Sequence, residues 1–217
     1  MSLTKGLVLA ERPHIGNTAP TTFEDTSRFG NDGVETAITK VQLASGLWVN
    51  SFNGSTSQIV TPQSNSLRLQ DTFTWLLWAK AIDAGVITNP GIIASGIEGT
   101  DSFLSIENDR LEVFISATGF TRVNGAITVL DGVWTFCGVT FDNSLGSANI
   151  KLYVNAVADV TGNETDDLSH DNNTVLLGRY SIQYFGGQGA LAKSYNRALS
   201  PQEIADIFES ERRFFGV

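Results

Sequence analysis

Several residue types are scarce in this 217-residue chain, and each scarcity removes a class of chemistry. One cysteine, Cys137, rules out an intrachain disulfide and a Cys-rich zinc site. It sits in the apolar run Trp134-Thr135-Phe136-Cys137-Gly138-Val139 and reads as a small buried hydrophobe. Only His14 and His170 are available as imidazole bases, and no Gly-x-Ser-x-Gly turn, phosphate loop or His-rich metal motif occurs. No apolar run approaches the ~18 residues of a membrane-spanning helix, so no membrane insertion is expected. Glu11, Arg12 and Pro13 follow Met1 too closely to leave room for a signal peptide's apolar region. Basic residues are also few: 14 Lys and Arg stand against 23 Asp and Glu, a net charge of -9. That balance argues against a nucleic-acid partner, whose phosphates need clustered Lys and Arg.

What the chain has instead is 21 Gly, 13 Phe and short apolar runs separated by Gly, Asn, Asp and Ser clusters. This is the pattern of an all-β protein. Strands are expected at Leu7-Val8-Leu9, Trp48-Val49, 72–79, 92–95, 103–106, 110–115, 150–154, 175–177 and 189–193, with the longest at 133–141. In 72–79, Phe73, Trp75 and Leu77 fall on one face and Leu76 and Trp78 on the other. A strand apolar on both faces must be covered on both, the outer one by a long loop. Asn53-Gly54 marks a tight turn. One helix is legible: Ser200 at the N-cap, Pro201 at N1 and Glu203 at N3, followed by Ile204, Ile207 and Phe208 on a docking face with Glu209, Glu211, Arg212 and Arg213 turned to solvent. About ten strands and one short C-terminal helix fit a two-sheet antiparallel jelly-roll sandwich. With no repeat and no linker, residues 1–217 read as one domain.

Five segments, in order, resemble the laminin-G-like members of the concanavalin A-like lectin/glucanase superfamily. They are Asp25-Thr26-Ser27-Arg28-Phe29-Gly30-Asn31-Asp32-Gly33; Phe52-Asn53-Gly54 with Phe73-Thr74-Trp75-Leu76-Leu77-Trp78; Asp131-Gly132-Val133-Trp134-Thr135 running into Val139-Thr140-Phe141-Asp142; Lys151-Leu152-Tyr153-Val154-Asn155; and Leu177-Gly178-Arg179, Phe185-Gly186-Gly187 and 195–204. The resemblance implies a concanavalin A-like fold of two curved antiparallel sheets. It also implies a recognition role toward glycans, proteins or surfaces, sometimes through calcium, with some members in virus and phage structural proteins. Two positions depart from the pattern. Arg28 replaces a Gly of the early loop, and Ala192 stands where an acidic residue is common, which removes an oxygen ligand from any calcium site.

Candidate sites follow from residue type. Calcium is the cofactor to consider: it needs six to eight oxygens, and Asp25, Asn31 and Asp32 lie in a suitable loop, unless Asp25 and Asn31 brace that loop through Asx-type hydrogen bonds. A second acidic stretch, 163–173, reads as a solvated hairpin loop or a rim site for a cation. Sugar binding needs an aromatic platform with polar neighbours. Arg179, Tyr180, Gln183, Tyr184 and Phe185 supply both, the alternative being that Tyr184 and Phe185 pack the hairpin onto the sheet; Trp48 and Phe120 are further candidates. Phe214-Phe215 either binds a partner or docks back on the domain. Catalysis is not expected, because Glu107, Asp109 and Glu112 lack an apolar framework that would raise a pKa, and Glu164-Thr165-Asp166 lacks a second Glu. The favoured role is a non-catalytic glycan-binding or adhesion domain, extracellular or virion-associated. Its partner would be a glycan, or a cell or virion surface. A structural part of a virus or phage is the alternative, for which a homo-oligomer would be expected.

Overall fold

The computed structural model describes residues 3–68, 71–82, 90–96, 102–117, 120–166, 168 and 173–217. The strands are β1 (Leu7–Ala10), β2 (Val34–Thr36), β3 (Thr39–Gln42), β4 (Trp48–Asn53), β5 (Gln58–Val60), β6 (Thr72–Ala81), β7 (Gly91–Ser95), β8 (Phe103–Glu107), β9 (Arg110–Ser116), β10 (Phe120–Thr128), β11 (Thr135–Asp142), β12 (Ile150–Val154), β13 (Val157–Gly162), β14 (Val175–Leu177), β15 (Arg179–Tyr180), β16 (Gln183–Tyr184) and β17 (Gly186–Tyr195). A helix, α1 (Pro201–Glu211), and a 3-10 turn at Arg212–Phe214 close the chain. The strands form an eight-stranded sheet in the order β13-β12-β11-β6-β17-β4-β3, with β1 also on β17, and a seven-stranded sheet in the order β10-β9-β8-β7-β14-β5-β2. Every pairing is antiparallel, and the two sheets pack as the expected sandwich.

The alternation of β6 sets the layers. Phe73, Trp75 and Leu77 enter the core between the sheets, together with Val139, Phe141, Leu104, Val113 and Leu177. Leu76 and Trp78 face outward into a second apolar cluster with Phe136, Tyr195, Ile204 and Ile207. What covers this outer face is α1 and the chain end, not the long loop expected: Phe208 and Phe215 both stack on the Trp78 ring, at 5.5 and 4.1 Å. The Phe214-Phe215 tail therefore docks back on its own domain. Glu211, expected in solvent, is buried, where it accepts the Trp78 Nε1–H at 2.9 Å and pairs with Lys193. An apolar outer face turned this side of α1 inward, and the indole N–H beneath it needed an acceptor.

Local rules explain the helix start. The Ser200 hydroxyl accepts from the Glu203 N–H, and the Glu203 carboxylate accepts the Ser200 N–H at 2.9 Å, so two orphan amides are satisfied. Arg197 adds two hydrogen bonds to the same carboxylate, at 3.0 and 2.6 Å. At one side of the sandwich, Asp159 of β13 accepts the Ala126 and Ile127 N–H groups of β10, joining an edge of each sheet. The longest strands are β6 and β17, at 10 residues each; β11 has 8, beginning at Thr135 rather than Val133.

Candidate functional site on the outer face of the seven-stranded sheet

Cross-strand register places one transverse row on this outer face. Val34, Val60, Leu176, Ala94, Phe103, Phe114 and Arg122 are successive partners across all seven strands. Residues directly opposite share a face, so the row reads as apolar from β2 to β9 and ends on a guanidinium at the β10 edge. The rings stack in sequence: Phe103 on Phe114 with centroids 4.5 Å apart, and the Arg122 guanidinium 5.2 Å from the Phe114 centroid. The neighbouring row is Ser105, Glu112 and Asn124. On β10 itself, Phe120, Arg122 and Asn124 alternate onto this face, and the Phe120 ring is 55% exposed.

The hairpin β15–β16 folds over the same face. Tyr180 lies flat on Phe103 at 3.7 Å, and the hairpin passes so close to β7 that a Cβ at Gly91 would meet the Tyr180 Cβ at 2.6 Å. The hairpin begins at Gly178, whose φ of +79° and contact with the Phe52 ring leave no room for a side chain. Arg179 donates to Gln58 Oε1 at 2.8 Å and to the Ser181 carbonyl, and lies 5.2 Å from the Tyr184 centroid.

The five sequence candidates are thus divided. Tyr180 and Phe185 are buried: Tyr180 pins the hairpin down, and Phe185 packs against Phe52 in the main core at 5.9 Å. Arg179, Gln183 and Tyr184 remain half-buried at the surface, beside Ile182 at the tip, which is 83% exposed. Trp48 is held by its indole N–H on the Gly16 carbonyl at 2.8 Å, away from this face. Phe103, Phe114 and Arg122 carry the face, and sequence reasoning did not select them. For Phe114 and Arg122 the signal was the period-two alternation of β9 and β10.

Carboxylates meet here too. Glu107 and Glu112 are both buried and hydrogen-bond each other, while Arg122 reaches Glu112 at 2.6 Å and Glu107 at 3.3 Å. Burial, and then the Glu107 carboxyl, push the Glu112 pKa up to about 7. The expectation that this stretch could not raise a pKa is corrected: the outer face supplies the low-polarity surroundings that the sequence did not reveal. Carboxyls in mutual hydrogen-bond contact are nonetheless too close to flank a glycosidic bond, which needs about 5.5 Å for retention.

In the early loop the three candidate calcium ligands, Asp25, Asn31 and Asp32, are engaged in hydrogen bonds. The Asp25 carboxylate accepts from the N–H groups of Ala10, Ser27 and Asn31 at 2.8 Å each and from the Ser27 hydroxyl at 2.7 Å. The Asn31 amide donates to the Val8 carbonyl at 2.9 Å and to Ser66 at 3.1 Å, and Asp32 accepts the Asp25 N–H at 2.8 Å. Donors therefore already engage both Asp25 oxygens and one Asp32 oxygen, which is the bracing arrangement. Ala192 is close by, its N–H donating to Glu11 at 3.1 Å, and burial raises the Glu11 pKa. Among the described residues no three His, Cys, Asp or Glu side chains cluster as a metal site. In the second acidic stretch Glu164 is buried, turned back onto the N–H groups of Thr165 and Asp166 at 2.8 and 2.9 Å, whereas 167 and 169–172 lie outside the described residues.

Solved structures share this fold. The binding domain of Paraclostridial Mosquitocidal Protein 1 superposes with a TM-score of 0.74 at 16% identity, over 99% of this chain and 56% of that one. A botulinum neurotoxin type C structure, whose toxin depends on two ganglioside molecules for cell entry, gives 0.71 at 13% identity, over 96% and 52%. The chain thus spans about half the length of these toxin structures. Domain 4 of AbnA, a GH43 extracellular arabinanase from Geobacillus stearothermophilus, in complex with arabinotriose, gives 0.67 at 19% identity, over 85% of this chain and 91% of that one. Identities this low establish a shared fold and nothing finer. No curated protein matches the sequence. The sequence model of the concanavalin A-like lectin/glucanases superfamily, in its laminin-G-like form, matches residues 53–205, and the chain belongs to that superfamily.

Proposed function

We propose that the protein is a non-catalytic carbohydrate-recognition domain that binds neutral sugars on the outer face of its seven-stranded sheet. The observation that carries this reading is the β10 edge: the exposed Phe120 ring stands in line with Arg122 and Asn124 on one rigid strand. A ring face receives sugar C–H groups, and fixed polar neighbours receive hydroxyls. Arg122 is oriented before any ligand arrives by Glu107, Glu112 and the Phe114 ring, so little ordering entropy is lost on binding. Tyr184 and Arg179 offer a second contact above β7. Three strand spacings separate β7 from β10, roughly 14 Å, a span suited to a short oligosaccharide. The arabinanase domain, matched over most of its length and seen with arabinotriose, supports a sugar as ligand. A glycan on a cell surface is the partner this reading favours.

The test is a glycan array followed by calorimetry with arabino-oligosaccharides. Phe120→Ala and Tyr184→Ala should each weaken binding about tenfold, the loss expected for one aromatic contact of about 1.4 kcal/mol. Absence of any neutral glycan among the array hits, or unchanged affinity in both variants, overturns the proposal.

A further inference from the structure

A cavity lies between the N-terminal segment and the early loop, on β1 rather than on the seven-stranded sheet. Its volume is about 580 Å³, and it is lined by Lys5, Thr26, Arg28, Phe29 and Asn196 among others. In a chain of net charge -9, its lining holds two cations and no carboxylate. Arg12, Lys40, Arg122, Lys193, Arg197 and Arg212 each pair with a carboxylate. Lys5 and Arg28, like Arg68, Lys80, Arg110, Lys151, Arg179 and Arg213, make no ion pair among the described residues, and only these two line this cavity.

The two residues at the loop tip are held ready. Asp25 gathers the N–H groups of Ala10, Ser27 and Asn31, and the Phe29 N–H donates to the Ser27 hydroxyl at 3.2 Å. From this pinned base the Arg28 guanidinium lies over the Phe29 ring, 4.7 Å from its centroid. The Phe29 ring remains 39% exposed, at a position where packing gains little from an aromatic side chain. A guanidinium over a ring face leaves N–H groups at its edge for an oxyanion. Lys5 lines the same cavity and adds a second charge, and the exposed ring offers apolar contact.

We propose that this cavity is a second binding site, separate from the sheet face, that takes an anionic saccharide through its carboxylate or sulfate group. Arg28 and Lys5 bind the anion, and Phe29 packs against the sugar ring. Local cations prevail over the chain's net negative charge because screening at physiological salt confines interactions to about 8 Å.

The test is calorimetry on the full chain with three probes: trigalacturonate for the carboxylate source, a sulfated heparin-type disaccharide for the sulfate source, and arabinotriose as the neutral control. Sodium sulfate alone is a fourth. One of the two acidic saccharides should bind, and its affinity should fall as salt rises. Arg28→Ala and Lys5→Ala should each weaken it about tenfold, the worth of one charge-assisted contact, while Arg28→Lys should recover part of the loss. Both positions are exposed, and unchanged melting temperatures check that the variants fold. Arabinotriose affinity should be the same in wild type and Arg28→Ala, so this site and the sheet face fail or stand separately. The proposal is overturned if neither acidic probe binds, if Arg28→Ala has no effect, or if sulfate ion binds as tightly as the saccharide.

Discussion

The rings of Trp78 and Phe215 stack with centroids 4.1 Å apart and planes inclined by 18°, so the third residue from the chain end seals the outer face of the central strand. The contact makes the C-terminal tail part of the fold. Phe215→Ala should cost about 3 kcal/mol, the lower end for a buried Phe. Denaturant unfolding checks the loss, and the Trp emission should shift to the red as Trp78 gains water.

Ser200→Ala should destabilise the protein by about 1 kcal/mol through the lost cap. Its partner Glu203 titrates near 2 because Arg197 hydrogen-bonds its carboxylate, outweighing burial. A lowered pKa favours the folded state once the unfolded carboxyl has ionised. That contribution is present above pH 4.5 and is lost as pH falls toward 2. Acid melting curves of Glu203→Gln should therefore show a shallower loss of stability across that window than wild type.

Glu112 has the opposite sign. Its folded pKa, near 7, lies above the ordinary 4.5, so the folded state holds the proton more tightly than the unfolded chain does. This contribution is complete below pH 4.5 and is lost as pH rises through 7. Glu112→Gln keeps the hydrogen-bonding shape without the charge. Between pH 5 and pH 8 its melting temperature should fall less than that of wild type; identical slopes would refute the assignment.

Removing the Asp25 carboxylate leaves three backbone N–H groups without their acceptor. Asp25→Ala should lose about 3 kcal/mol, since buried donors then lack partners. The loop is braced by these bonds, so excess EDTA should leave the wild-type melting temperature unchanged. A chelator-dependent fall would show that a cation replaces some of them.

The sequence disclosed what depends on neighbours along the chain and concealed what depends on neighbours in space. The Ser200-Pro201-Gln202-Glu203 start was legible because capping is local. So was the double-faced β6, because apolar residues at consecutive positions have to be covered on both sides. Of β17 only the stretch 189–193 was legible; its ends, Gly186–Gln188 and Ser194–Tyr195, carry little strand signal of their own and are strand because β6 and β4 flank them. The strands β2, β3, β5, β10 and β13 escaped notice for the related reason that short or edge strands need not be apolar. Glu211 looked like a solvent residue because its acceptor role toward Trp78 spans 133 positions. Of the site, Tyr184, Arg179 and Phe120 could be picked out by type. The Phe103-Phe114-Arg122 row could not, since only the register of three separate strands brings it together.

A strand at the rim of a sheet carries bare amides that invite another chain to pair with it, the first step toward fibrils. At the β10 rim those of Ala126 and Ile127 are already occupied by Asp159. An incoming strand would have to displace a carboxylate and then lie alongside its charge, so the bond that joins the two sheets also guards this border against aggregation.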